Sequence, residues 1–320
     1  MILYLIKRIF YAVPTLAGVA ILVFFMLRVA PGDIVELKLR GDGGLVTEEQ
    51  VTAERKRLGL DKPLYAQFAD WMTGLATLDL GKSMWTDLPV KDEIATRLGL
   101  TLEVAVLSSL LAITISLPLG IAAALNKNRF TDHLIRLITI TGLAAPSFWI
   151  GMIIILLLLQ AFSWLPPITY TPITADPAAN LSQLIWPAAA IAFRYSAVLT
   201  RIVRSSLIEV MQAGFIRTAR AKGVPERVVI RLHALRNALL PFITVLGLEF
   251  AFLIGGLVVT EQVFNLNGVG RLFVQAVTHN DYTLTQGIVM AIAAIFILTN
   301  LAVDILYAVF DPRIRYGVSR

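Results

Sequence analysis

The sequence predicts an all-α integral membrane protein with six transmembrane helices, and three observations carry that prediction. Hydrophobic residues make up 57% of the chain and charged residues only 16%, with a mean hydropathy of +0.74. A water-soluble globule does not have that balance. Six apolar runs each approach the length needed to cross ~30 Å of hydrocarbon at ~1.5 Å per residue. The cations alternate: four connecting or terminal segments hold 16 Lys and Arg, while two short loops between them hold one. Cation-rich connections stay in the cytoplasm, so the net charge of +6 reads as membrane orientation rather than nucleic-acid binding. With no cysteine there is no disulfide framework and no thiolate metal site. His133, His233 and His279 are scattered and form no ligand cluster.

In chain order, Lys7 and Arg8 precede a first span over residues 9–29, which is too long for a signal-peptide core and lacks a small-residue cleavage site. It reads as an uncleaved anchor with the N-terminus in the cytoplasm. Residues 30–98 form a long mixed segment with nine Lys and Arg against twelve Asp and Glu. Long segments cross a membrane largely regardless of charge, so this one is placed outside as a separate subdomain. Within it, Leu58 to Leu64 reads as a turn into an amphipathic helix, and Leu78 to Ser83 as another turn.

Span two covers residues 100–125, with Glu103 at its outer margin, reaching water. Lys127, Arg129 and Arg136 mark the inner turn that follows. Span three, residues 134–161, carries Pro146, which implies a kink. Residues 162–184 hold no Lys or Arg, as a short outer loop should. Span four descends over 184–203 to Arg201 and Arg204, span five rises over 238–260, and span six descends over 287–309 to a cytoplasmic tail at 311–320. The five later spans form a core over 99–310.

Between spans four and five lies the most informative stretch, Phe215 to Pro241. Its cations are Arg217, Arg220, Lys222, Arg227, Arg231 and Arg236, against the single acid Glu226. Two short helices broken at Gly223-Val224-Pro225 are expected there, because glycine frees the backbone and proline cannot continue a helix. A plain basic cytoplasmic loop would explain the charge but not this compact helix–Gly–helix pattern.

The run Arg217-Thr218-Ala219-Arg220-Ala221-Lys222-Gly223, with His233-Ala234-Leu235-Arg236-Asn237-Ala238 and Leu240-Pro241 after it, resembles the ATPase-docking loop of ABC importer permeases. The dipeptide/oligopeptide/nickel branch, peptide-permease B-type subunit, is the nearest in pattern. Arg28-Val29-Ala30-Pro31-Gly32-Asp33, Val263 to Arg271 and Asp311-Pro312-Arg313-Ile314-Arg315 are similar to other segments of that family, so the resemblance covers nearly the whole chain. It departs at Arg217 and Thr218, where the general importer pattern has Glu and Ala, at Ala213-Gly214, where many relatives have Gln-Asp, and at Asn267, where proline is common.

The resemblance implies a type I ABC importer permease fold in the bacterial inner (plasma) membrane. It implies as partners a second homologous permease in a heterodimer, two ABC ATPase subunits and an extracytoplasmic solute-binding protein. ATP and Mg would be bound by the ATPase subunits, with no cofactor in this chain. The coupling loop would span 204–237, with Ala213, Gly214, Phe215, Arg217, Thr218, Ala219, Arg220, Ala221, Lys222 and Gly223 meeting the ATPase. Phe264, Gly268, Gly270 and Arg271 would belong to an external gate segment, and span five, with Gly247, would face the sister permease.

No Gly-x-x-x-x-Gly-Lys-Ser/Thr motif, catalytic triad or spaced carboxylate pair occurs, so neither ATP hydrolysis nor other enzymatic work is expected of this chain. Two ionisable residues lie deep in spans. Arg194 and Glu249 both fall roughly 14 Å from the inner end of their helices. A lone charge there costs at least ~3 kcal/mol, so each must meet protein, water or an opposite charge. They pair with one another or line the solute path. An ion-coupled secondary transporter or channel using Glu249, or a membrane scaffold, are the alternative readings. The solute class implied is a peptide or similar small polar molecule.

Overall fold

The computed structural model describes residues 2–29, 32–40 and 47–310. Among them the secondary structure is helical, apart from an isolated antiparallel bridge between Lys82 and Pro89. The chain begins with α1 (Ile2–Val29), α2 (Ile34–Arg40), α3 (Glu48–Arg57) and α4 (Leu64–Ala76). The long α5 (Val90–Leu125) follows, then α6 (Phe130–Ala144), α7 (Ser147–Phe162) and α8 (Pro177–Met211). The short α9 (Gly214–Ala221) and α10 (Glu226–Val228) lead through a π-helical stretch, Val229–Ala234, into α11 (Leu235–Gly256). Last come α12 (Val258–Val263), α13 (Val269–Thr278) and α14 (Tyr282–Phe310). The tail from Asp311 and the Ala30-Pro31 pair lie outside the described residues.

Helix ends follow local chemistry. Thr47 and Gln50 form a reciprocal capping box on α3, satisfying donors that no helical carbonyl can reach. Asp176 accepts from the backbone N–H groups of Ala178 and Ala179 at 3.0 Å, and Pro177 occupies the first turn of α8, where its missing N–H costs nothing.

Four helical stretches among the described residues are long and apolar enough to cross a membrane: Phe10–Val29, Val90–Leu125, Glu226–Gly256 and Tyr282–Ile305. A fifth results if α6 and α7 count as one broken span. The expected kink at Pro146 is in fact a 101° turn between two helices. Proline removes one N–H and holds the preceding residue extended, and Ala145 accordingly has ψ 125°. The remaining expected span lies in α8, whose 35 residues suffice in length. It is more polar than the others because it carries Arg194, Arg201 and Arg204. It buries fifteen side chains, Tyr195 and Leu199 among them, so its environment is largely protein.

The chain divides into two compact units. One contains residues 102–266 and, among the described residues, 298–310. Its core joins Ala112 of α5, Tyr195, Leu199 and Val203 of α8, and Phe242 and Ile243 of α11. The buried Tyr195 hydroxyl donates to the Leu246 carbonyl at 2.6 Å. Asp132 in the first turn of α6 is fully buried and receives Arg204 of α8 through two hydrogen bonds. Gly247 of α11 is also buried, and a β-carbon there would collide with Val303 of α14. The glycine therefore serves close packing within this chain, beyond the sister-subunit role that the resemblance implies. Glu103 is half-buried, and its carboxylate accepts from Asn180 Nδ2 at 2.7 Å.

The other unit contains residues 2–101 and 267–297. Val90, Ile94, Val269, Leu272, Leu284 and Ile288 form its apolar core. Buried Asp281 ties it together by accepting from Ser83 Oγ at 2.6 Å, Trp85 N at 3.1 Å and Leu284 N at 2.9 Å. Arg57 bridges Glu54 and Asp87, and its guanidinium holds both carboxyls below their ordinary range.

Candidate functional site

The expected coupling residues gather on and beside α9. Ala213 precedes the helix in extended conformation, without a side-chain cap, and Gly214 opens it. The helix is fastened through one face. Ile216 is fully buried among Leu207, Val229, Ala234 and Ala238, with Ala219 and Val224 packed against the same cluster. The rest of its surface is open. Phe215 is 48% exposed, and Arg217, Thr218, Arg220, Ala221, Lys222 and Gly223 are exposed.

The end of α9 explains the Gly223 break. Gly223 has φ +76°, a conformation that L-residues with a β-carbon resist. Its N–H bonds to the Arg220 carbonyl at 2.9 Å, and the Val224 N–H to the Ala219 carbonyl at 3.2 Å. This is a Schellman termination, which satisfies the last carbonyls while reversing the chain. Arg220 then reaches across the turn to Glu226, Nε to Oε2 at 3.0 Å and Nη2 to Oε1 at 2.6 Å. The planar guanidinium suits such a fork. Glu226 begins an unbroken helical run that reaches Gly256. Thus the open face of α9 is connected to a candidate span by a clasped turn.

Arg194 and Glu249 meet. Arg194 Nη1 lies 3.7 Å from Glu249 Oε2, with side-chain exposures of 50% and 21%. That separation is a loose ion pair and too long for a hydrogen bond. A cavity of about 120 Å³ borders both, lined also by Ser147, Tyr195, Gly256 and Thr260. The sharp turn at Pro146 is what puts Ser147 there, a contribution that neither its residue type nor its position in the sequence announced.

The expected gate residues divide between the two units. Phe264 is 1% exposed and packs against Gly151 of α7. Gly268 precedes α13, whose first turn holds Gly270, buried, and Arg271, half-buried. Two further residues escaped the reading of the sequence: Ile216, which alone anchors α9 with a fully buried side chain, and Asp132. Ile216 was detectable as an aliphatic residue amid cations. Asp132 carried no local signal.

Comparison with known proteins shows the family. Residues 116–316 match the family described as binding-protein-dependent transport system inner membrane component, and residues 1–105 match the N-terminal family of the same membrane components. A Brucella abortus chain named for the permease of a peptide transport system is 39% identical over 98% of both chains. The glutathione transport system permease protein GsiC of Salmonella typhimurium is 39% identical over 99% of this chain and all of its own. In fold, the chain is similar to one from a crystal structure of an amino acid ABC transporter with histidines. The TM-score is 0.52 at 18% identity, covering 70% of this chain and 94% of that one. The chain belongs to the binding-protein-dependent transport system inner membrane component family.

Proposed function

We propose that the chain forms half of the path by which an ATP-driven importer moves peptides, or a similarly small polar solute, across the bacterial inner membrane. The other half is a different but homologous permease. Both relatives named above carry peptide-type solutes in their names, which favours this class. Two ABC ATPase subunits hydrolyse ATP, and an extracytoplasmic binding protein delivers the solute at the unit containing residues 30–98. The N- and C-termini lie in the cytoplasm, in keeping with the cation-rich connections.

The observation that carries this reading is the construction of α9. Phe215, Arg217 and Lys222 present open side chains, while Ile216 fixes the helix to α8 and to the helical run into α11. A partner that grips the open face of α9 moves α11 with it. Ala213, Gly214, Thr218, Ala219, Ala221 and Gly223 complete the docking segment. The Arg194–Glu249 pair lies on the path, where a zwitterionic solute offers each charge a replacement partner, and the segment with Phe264, Gly268, Gly270 and Arg271 serves the outer gate.

Gly223→Pro tests the reading, since proline cannot adopt the positive φ of the turn. The variant inserts normally in the membrane and its complex still hydrolyses ATP, but solute uptake is lost. Full uptake by this variant overturns the reading. So does recovery of the tagged native chain without any ATPase subunit on mild detergent extraction.

A further inference from the structure

Gly256 ends α11 beside the Arg194–Glu249 pair, and neither its backbone nor its packing calls for a glycine. It is not among the residues of positive φ. A β-carbon placed on it meets no heavy atom within 4 Å beyond its own chain neighbours and helix backbone. Gly142 and Gly247 differ, since β-carbons there would strike Ala197 and Val303. Glycine weakens a helix relative to alanine, so its presence at 256 needs another reason. The open space at this position belongs to the wall of the cavity of about 120 Å³ that borders the ion pair.

That cavity has two kinds of lining. Ile191, Phe252, Leu253 and Leu257 are apolar, while Arg194 and Glu249 bring one charge of each sign. Both charges can be reached from outside, with 50% and 21% of their side-chain surfaces exposed. At 3.7 Å they leave one another's hydrogen-bonding capacity unused. Among the described residues neither side chain has a hydrogen-bond partner within the protein. The matching ligand offers a carboxylate to the guanidinium, an ammonium to the carboxylate, and an apolar group to the cavity. An apolar cavity of ~150 Å³ holds benzene, so this one of about 120 Å³ suits an aliphatic side chain.

We infer that this cavity receives one aliphatic side chain of a zwitterionic peptide whose charged ends answer Arg194 and Glu249, and that Gly256 sets the size of side chain admitted. The inference rests on the reading that the pair meets the solute, and adds to it a side-chain subsite and the residue that limits it.

The test uses the absence of cysteine from the chain. Gly256→Cys introduces a single thiol, which the free space at that position accommodates. Native membrane vesicles holding the tagged variant are treated with a small membrane-permeant methanethiosulfonate, and modification is followed by the intact mass of the purified chain. The thiol is expected to react, and leucyl-leucine to slow the reaction saturably. Half-protection should need a concentration about tenfold lower than with glycyl-glycine, the gain from burying a leucine side chain. N-acetyl-leucine amide, which lacks both charges, should not protect. An unreactive thiol places Gly256 in a closed helix contact and overturns the inference. Equal protection by the two dipeptides, no protection by either, or equal protection by the uncharged amide also overturns it. Labelling requires no transport, so the two readings fail separately. Vesicles that protect the thiol but never accumulate peptide with ATP refute the transport reading, and vesicles that accumulate peptide without protecting the thiol refute the subsite.

Discussion

Arg204 holds Asp132 through two parallel hydrogen bonds, Nε to Oδ1 at 2.6 Å and Nη2 to Oδ2 at 2.7 Å, and the Asn128 N–H adds a third to Oδ2 at 2.9 Å. Together these bonds fix the start of α6 to the lower part of α8. The carboxylate is fully buried while the guanidinium keeps 21% of its side-chain surface. Removing one member of such a pair leaves the other desolvated without compensation. Asp132→Asn is therefore expected to lower unfolding stability by about 3 kcal/mol, measured by thermal unfolding in detergent. Asp132→Asn combined with Arg204→Gln should recover part of the loss, because no lone charge remains.

Gly247 and Val303 test helix packing. Since a β-carbon at 247 meets Val303 at once, Gly247→Ala should destabilise the chain by about 1–3 kcal/mol through overpacking. Val303→Ala in the same chain makes room and should restore most of it. If the double variant is no better than Gly247→Ala, the collision with Val303 is not the cause.

Uptake assays separate the two consequences of the Arg194–Glu249 pair. Glu249→Gln is expected to cut solute uptake more than tenfold at equal membrane abundance, taking about 1.4 kcal/mol per tenfold step. The exchange Arg194→Glu with Glu249→Arg keeps an ion pair, so thermal stability should return close to the starting value. Uptake should not return, because a zwitterionic solute meets the charges in reversed order.

The Arg57 bridge predicts a pH response in the unit of residues 2–101 and 267–297. Arg57 lowers the pKa of both Glu54 and Asp87. Carboxyls depressed in the folded state stabilise it fully above their ordinary pKa and lose that contribution as pH falls through the depressed values. Amide exchange along α3, corrected for intrinsic rates, should thus accelerate below pH ~4. It should be flat between pH 5 and 8. Arg57→Gln should remove the acid response. The effect is modest, since Arg57 and Asp87 are about half exposed and water screens them.

The helices and the break at Gly223 were legible in the sequence because their causes are local: apolar length, cation placement, and a Gly-x-Pro punctuation. Proximity of Arg194 and Glu249 followed from equal depth on consecutive spans. The partner of Asp132 was not legible, since 72 residues separate it from Arg204 and no local pattern selects one arginine among the several at the helix ends. Pro146 signalled a break but not its angle, because proline fixes one φ and leaves the direction of the next helix to packing. Gly247 signalled a close approach without naming Val303.

The run Glu226–Gly256 is a single helical stretch of 31 residues, and this gives the clasped turn at Gly223 the geometry of a short crank on a long shaft. At ~1.5 Å per residue, Glu249 sits about 34 Å along the shaft from Glu226. A tilt of about 5° pivoting at Glu226 would displace Glu249 sideways by about 3 Å, given that length. The present 3.7 Å separation from Arg194 is of the same size. If the run moves as one rigid body through its π-helical stretch and Pro241, a modest rotation imposed on α9 would change the separation of the two charges by about as much as the separation itself.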